Sequence, residues 1–436
     1  MQVTLAYGRT GLAVELPEDR VDVVEPRDVP GLPDEPAAIT AALRAPLGTA
    51  PLRMLAGPDD DVVIVVNDGT RPMPSARVLP PLLAELDHVP RERITLLVAT
   101  GTHRANTPAE LDEMLGPALA RGYRVVNHDA RDDAALVYLG ESVRGHPIFL
   151  NRLYMEASVR ILTGFVEPHF FAGFSGGPKP VMPGLAGLAT VLCNHGPRMI
   201  AHPGATFGVL EGNPIHEEHR EIALRTRPTF SLNVALNKRR QITGVWAGEM
   251  MAVHAAGVAF VRATAMQTVS HEYDVVLTTN SGYPLDQNLY QSVKGMAAAA
   301  RALRPGGAIV LAAECADGIP AHGTYATLLR GAADPEAVLA QVEGAPHSAS
   351  TASRGPRPLA DGWQAQIQAQ IQRTAAVYLY SSLSDEAVRS ALLAPCHDVG
   401  AQVRSLLAAY GPEARLLVLP EGPQAVVCPA LSAPLV

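Results

Sequence analysis

Two doubly wound α/β domains are what this 436-residue sequence predicts. Three observations carry the prediction. Short continuous apolar runs recur, such as DVVIVV at residues 61–66, the mark of parallel strands buried on both faces. Each run stops at a polar turn and is followed by a helical stretch, the alternation that wraps a parallel sheet in helices. The length also exceeds what one ordinary core holds, so two or three domains are expected.

Taken in order, residues 3–15 alternate around Gly8 and Gly11 and read as an opening hairpin, and a proline-rich passage runs on to about residue 36. The strand 61–66 ends in Asn67-Asp68-Gly69-Thr70-Arg71-Pro72, and a helix follows from Ser75 to about Leu86. Strand Ile94–Ala99 ends in Thr100-Gly101-Thr102-His103-Arg104. Thr107-Pro108-Ala109-Glu110 combines a capping box with proline in the first helical position, so a helix begins there. Ligands of doubly wound sheets bind beyond the carboxyl ends of the strands, so two independent units place Asp68, Arg71 and His103 alike. Strands are expected near 124–127, 135–139 and 158–163, and the last delivers the chain into a glycine-rich stretch. After it come a helix from Asn213-Pro214 to Arg225, strands at 229–236 and 241–246, and a helix over 250–265.

The domains are expected to divide at 1–268 and 269–436. The second opens with strand 273–278 and the turn-to-helix run NSGYPLDQNLYQSVKGM, in which Tyr290, Gln291 and Lys294 share one helix face. A strand at 308–312 follows Arg304-Pro305-Gly306-Gly307, residues 344–360 read as a surface loop, and strands at 377–380 and 415–419 close the pattern.

A net charge of −8 with no basic run argues against a nucleic-acid surface. No apolar run approaches the ~18 residues of a membrane span, and the amino terminus has no signal-peptide pattern, so a cytoplasmic protein is expected. Cys193, Cys315, Cys396 and Cys428 form no Cys-x-x-Cys pair, which fits a reducing compartment. Cys193 reads as a small buried hydrophobe rather than a metal ligand.

Chemistry concentrates between Gly164 and Gly208, where His169, Lys179, His195 and His202 are separated by glycines and prolines that set the backbone locally. Lys179, at Gly-Gly-Pro-Lys-Pro, is the only lysine of the stretch. Taken alone, Asp68 and Arg71 would read as a surface ion pair, His103 as a solvated loop histidine, and Gln291 and Lys294 as one polar helix face.

The patterns VEPHFFAGFSGGPK and CNHGPRMIAHPGATFG resemble the nickel-dependent lactate racemase family. The resemblance spans essentially the whole chain. It implies an active site in the cleft between the domains and a nickel-pincer nucleotide, a pyridinium mononucleotide with two thiocarbonyl sulfurs, attached covalently at Lys179. His195 matches the histidine that ligates nickel, and His103 and His169 match the catalytic pair. Asp68, in the family's Asp-x-Thr-Arg-Pro turn, matches a cofactor contact, and Arg71 a clamp on substrate carboxylate. Gln291 and Lys294 match the family's Gln-x-x-Lys, the lysine being the second substrate clamp. Tyr290 and Trp363 match aromatic residues lining the cofactor pocket. The implied activity is racemisation or epimerisation of a 2-hydroxy acid by hydride transfer, with cofactor-making and nickel-inserting proteins as partners. Self-association into a homo-oligomer stays open, and His128, His202, His216 and His219 receive no role. Three rival readings remain beside it: a zinc-dependent hydrolase, a pyridoxal-phosphate racemase with Lys179 as Schiff base, and a non-enzymatic 2-hydroxy-acid sensor.

Overall fold

The computed structural model describes residues 1–321, 323–344 and 362–429. The surface loop expected at 344–360 lies, beyond Gly344, outside the described residues. Strand Val62–Asn67 shows why the first sheet forms. Val62, Ile64 and Val66 enter one apolar core, and Val63 and Val65 enter another on the opposite face. Such a strand is stable only with helices on both sides.

The first sheet has six strands in the order Ile242–Gly248, Phe230–Leu236, Val159–Phe165, Val62–Asn67, Ile94–Ala99, Arg124–Asn127. All run parallel except Ile242–Gly248, which is antiparallel at one edge. From Val62–Asn67 the chain proceeds to one edge, then returns to Val159–Phe165 and proceeds to the other. The order therefore reverses between these two central strands, where doubly wound sheets bind ligands. Asp68 and Arg71 follow the first of them, and Glu167 and His169 follow the second.

The second sheet runs Ala394–Pro395, Ala376–Tyr380, Leu303–Ala312, Tyr273–Thr279, Leu416–Leu419, Val21–Val23, all parallel. Its reversal point lies beside Tyr273–Thr279, and helix Leu289–Ala300 follows that strand.

The expected division at 268/269 does not describe the amino terminus. The hairpin Gln2–Leu5/Leu12–Glu15 forms as predicted, but it lies on the second sheet with Val3, Leu5, Val14 and Leu16 against Val275, Leu277 and Val310. Val21–Val23 then pairs with Leu416–Val418. The reason is the hairpin's single apolar face, which covers one side of the second sheet. The next element, helix Glu35–Arg44, grows out of the proline-rich passage: Asp34 accepts from Ala37 N, and Pro36 occupies the first turn, where its missing N–H costs nothing.

Candidate active site

At the end of strand Val62–Asn67 the chain turns sharply, with the Arg71 N–H donating to the Asp68 carbonyl. This buries Asp68 at 4% exposure and aims its carboxylate across to the neighbouring strand-turn unit. Oδ2 lies 2.8 Å from His103 Nδ1, while Oδ1 accepts from the Thr70 N–H and hydroxyl. Burial pushes the Asp68 carboxyl up, but the His103 hydrogen bond and the Arg71 charge outweigh it and hold it at about 2. An ionised carboxylate only accepts, so His103 Nδ1 carries a proton, and in the neutral ring Nε2 keeps a lone pair. Both Asp68 oxygens are thus engaged with protein, where a cofactor contact was expected. The surface pair of Asp68 with Arg71 does not form either: Asp68 pairs with His103, and among the described residues no ion pair engages the exposed Arg71 guanidinium.

His169 is held differently. Pro168–His169 and Gly173–Phe174 form a tiny antiparallel pair, and the tight bend points the Ala172 N–H at His169 Nδ1 from 3.2 Å and the Phe171 N–H from 3.5 Å. Backbone amides only donate, so here Nδ1 is the acceptor and Nε2 bears the proton. The two histidines are fixed in opposite tautomers, a free Nε2 on His103 and an Nε2–H on His169.

Lys179 lies in the turns that follow. Gly176 and Gly177, both at positive φ, are needed against protein here. A Cβ on Gly176 would meet Asn233 Oδ1 at 2.4 Å, and one on Gly177 the His254 ring at 2.4 Å. The Lys179 amine stands 5.9 Å from the centre of the Phe171 ring. Burial first, then the Arg71 charge, lower its basicity well below the ordinary lysine value. His195 caps helix Leu188–Asn194, and its ring packs edge-on against both Phe171 at 5.0 Å and Trp363 at 5.3 Å. Burial and then the Lys179 charge hold its imidazole at about 3, neutral at ordinary pH. Its Nδ1 lies 3.0 Å from Asn194 Oδ1.

Beside the second sheet, Gln291 and Lys294 share one helix face, as their spacing predicts. Lys294 Nζ donates to Gln291 Oε1 at 2.8 Å within helix Leu289–Ala300. Burial, then the Arg71 charge, lower Lys294 to about 8. Tyr290 packs edge-on against Tyr325. Trp363 reaches His195 because its helix, Gly362–Gln372, is pinned at both sides: Gln364 donates to the Tyr290 carbonyl and Gln366 to the Pro197 carbonyl.

Arg71, Lys179 and Lys294 lie close enough to shift the protonation of Glu167 and His169, and Arg71 and Glu167 that of both lysines. Burial, then the surrounding positive groups, push His169 well below its ordinary value. Glu167, which sequence reasoning missed, is raised by the protein around it although its side chain still meets solvent. Its place beside His169 in the Glu-Pro-His run was the available signal. Phe171, the ring shared by His169, His195 and Lys179, was equally unmarked.

Four other histidines are structural or peripheral to the cluster. His128 is locked between the Ala186 carbonyl and Asn151, His202 is exposed, and His216 stacks on His254 at 5.5 Å. Among the described residues no three His, Cys, Asp or Glu side chains converge to hold a metal. Cys193 is buried. A cavity of about 830 Å³ lined by His146, Arg198 and Glu218 shares none of the clustered residues.

Two imidazoles, a guanidinium, an ammonium and a lysine of depressed basicity are groups able to move protons and to hold a small anion. Residues 7–208 match the lactate racemase N-terminal domain and residues 268–427 the lactate racemase C-terminal domain. The lactate racemase of Thermoanaerobacterium thermosaccharolyticum is 35% identical over 431 residues, 98% of this chain and 99% of that protein. That of Lactiplantibacillus plantarum is 35% identical over 390 residues, 89% of this chain and 90% of the relative. The solved apoprotein structure from T. thermosaccharolyticum superposes with a TM-score of 0.90 at 33% identity, covering 98% of this chain and 100% of that one. A Thermotoga maritima protein shares the fold at a TM-score of 0.65 and 16% identity, over 90% of this chain and 98% of its own. The chain belongs to the lactate racemase family. No helix among the described residues is long and apolar enough to cross a membrane.

Proposed function

We propose that this racemase inverts the Cα of a 2-hydroxy acid, using a nickel-pincer nucleotide attached at Lys179. One feature supports the cofactor more than any other. Lys179, an amine of depressed basicity, stands with His195, a neutral imidazole whose Nε2 is left free, and among the described residues no other protein donors assemble a metal site. A nucleotide bringing its own sulfur and carbon donors fits that set, with His195 as the protein's nickel ligand; a zinc hydrolase with three protein ligands does not. When bound, the group would supply a reversible acceptor for the Cα hydrogen as hydride.

The chain's residues do the rest. Arg71 offers a planar donor fork, and Lys294 a point charge, to the substrate carboxylate. His103 Nε2 takes the hydroxyl proton, and Asp68 stabilises the imidazolium that results. The His169 Nε2–H donates to the substrate oxygen from the other side. The His169 Nε2–H stays on its nitrogen, and the proton held by His103 returns to the same oxygen when the opposite enantiomer forms. Tyr290, Gln291 and Trp363 line the cofactor side, and Phe171 excludes water between Lys179 and His195. Lactate, the substrate named for the relatives, is the first acid to try.

The test begins with intact mass and peptide mapping of protein co-produced with cofactor-making enzymes. An adduct of pincer mass on the Lys179 peptide is expected, together with racemisation in heavy water that retains the Cα hydrogen. An unmodified Lys179, in cells that load a known lactate racemase, would overturn the cofactor assignment. Full deuterium incorporation at Cα would replace hydride transfer with proton abstraction.

A further inference from the structure

Behind His195 lies a buried hydrogen-bond network that none of the roles above uses. Asn194 Oδ1 receives two imidazoles, His195 Nδ1 at 3.0 Å and His219 Nε2 at 2.9 Å. Its Nδ2 donates to Glu218 Oε2 at 2.7 Å and to the Ile215 carbonyl at 3.3 Å. Glu218 Oε1 in turn receives the Ser142 hydroxyl at 2.6 Å and His146 Nδ1 at 2.8 Å. Asn194 is fully buried and Glu218 is 1% exposed.

Resting on the reading of His195 as the nickel ligand, we infer that Asn194 and Glu218 are positioning residues that hold His195 in the Nδ1–H tautomer, keeping Nε2 unprotonated for the metal. An amide can present either end, and an imidazole can carry its proton on either nitrogen, so the pair alone would specify nothing. Glu218 removes the ambiguity. As a carboxylate it only accepts, which forces the amide nitrogen of Asn194 toward it; the Ile215 carbonyl, also an acceptor, favours the same orientation. The amide oxygen must then face the histidines, and each must meet it with an N–H. A ligand whose proton sat on Nε2 would have to lose it or turn its ring before binding metal. Outer partners of this kind fix the tautomer and orientation of metal-bound histidines.

The test is read first in the apoprotein, where no cofactor is needed. Long-range proton–nitrogen correlation spectra of ¹⁵N-histidine-labelled protein, with His195 assigned by its absence in His195→Gln, should show a protonated Nδ1 and a bare Nε2. Glu218→Gln, which frees Asn194 to turn over, should shift His195 toward a mixture of tautomers, and Ser142→Ala should not. Asn194→Leu provides a second route if Glu218→Gln folds poorly. In protein carrying the Lys179 adduct, Glu218→Gln should release nickel to a chelator about 10- to 100-fold faster. Wild-type His195 protonated at Nε2, or variants with unchanged tautomer and nickel release, would overturn the assignment. An absent adduct on wild-type Lys179 would sink the cofactor reading instead, and would leave the tautomer result standing.

Discussion

Replacing Asp68 with asparagine isolates what the carboxylate does for His103. Burial alone would push this carboxyl up, yet it sits at about 2 instead of 3.8 because the His103 hydrogen bond and then the Arg71 charge prevail. At about 1.4 kcal/mol per pH unit, that difference corresponds to about 2.5 kcal/mol favouring the ionised form. The folded value is lowered, so this stabilisation is complete above pH 3.8 and drains away as pH falls through about 2. The amide that replaces the carboxylate keeps an oxygen for the Nδ1–H but not the charge that steadies a protonated imidazole. If the whole 2.5 kcal/mol is expressed at the transition state, kcat/KM falls about 50- to 100-fold. The assay follows optical rotation from either enantiomer of lactate. The two enantiomers have equal free energy in water, so both directions must fall by the same factor. The Lys179 adduct and the circular dichroism spectrum should stay intact. Activity within threefold of wild type, with both intact, would refute the claim that Asp68 supports His103 as proton acceptor.

Other consequences are as concrete. Arg71→Lys keeps a charge but loses the planar fork, and KM should rise about tenfold or more with a smaller change in kcat; an unchanged KM would place the carboxylate elsewhere. Lys294 sits at about 8, so its charge is lost as pH rises past that point, and substrate KM should climb above pH 8. Lys294→Arg should flatten that climb, and a profile identical to wild type would remove Lys294 from the binding groups. Gly177→Ala forces a Cβ to 2.4 Å from the His254 ring at a φ of +52°, which should destabilise the fold by about 2 to 4 kcal/mol. A lower urea midpoint is the readout, and an unshifted one would show that the loop relaxes freely.

Much of this arrangement can be read from the chain because it is local. Thr107 and Glu110 form the capping box their spacing announces, and helix Met250–Ala265 occupies the range expected for it. Gln291 and Lys294 meet because three residues separate them on a helix. What could not be read depends on distant partners. The turn sequence brings Asp68 and Arg71 together, but only the neighbouring strand decides that Asp68 serves His103. The glycines before Lys179 read as setting the backbone locally, whereas their first requirement is space for Asn233 and His254. The helices Gly362–Gln372 and Val399–Tyr410 were passed over, the first because its glutamines are buried without an apolar period to mark it. Nothing in residues 21–23 says that their partner strand lies near residue 416.

That last pairing has a consequence for biosynthesis. The opening hairpin and strand Val21–Val23 are made early, yet the strand that Val21–Val23 pairs with is made about 400 residues later. At roughly 5 to 20 residues per second, Val21–Val23 waits about 20 to 80 s. An isolated hairpin is marginal in water, so until Val275, Leu277 and Val310 are made the apolar side chains Val3, Leu5, Val14 and Leu16 have no surface to cover. The first sheet, running from residue 62 to residue 248, can be complete well before then. The second closes only when the end of the chain returns to its beginning. A carrier protein fused at Met1 therefore stays tethered beside the last sheet to form, while one fused at the carboxyl end follows strands that are already made.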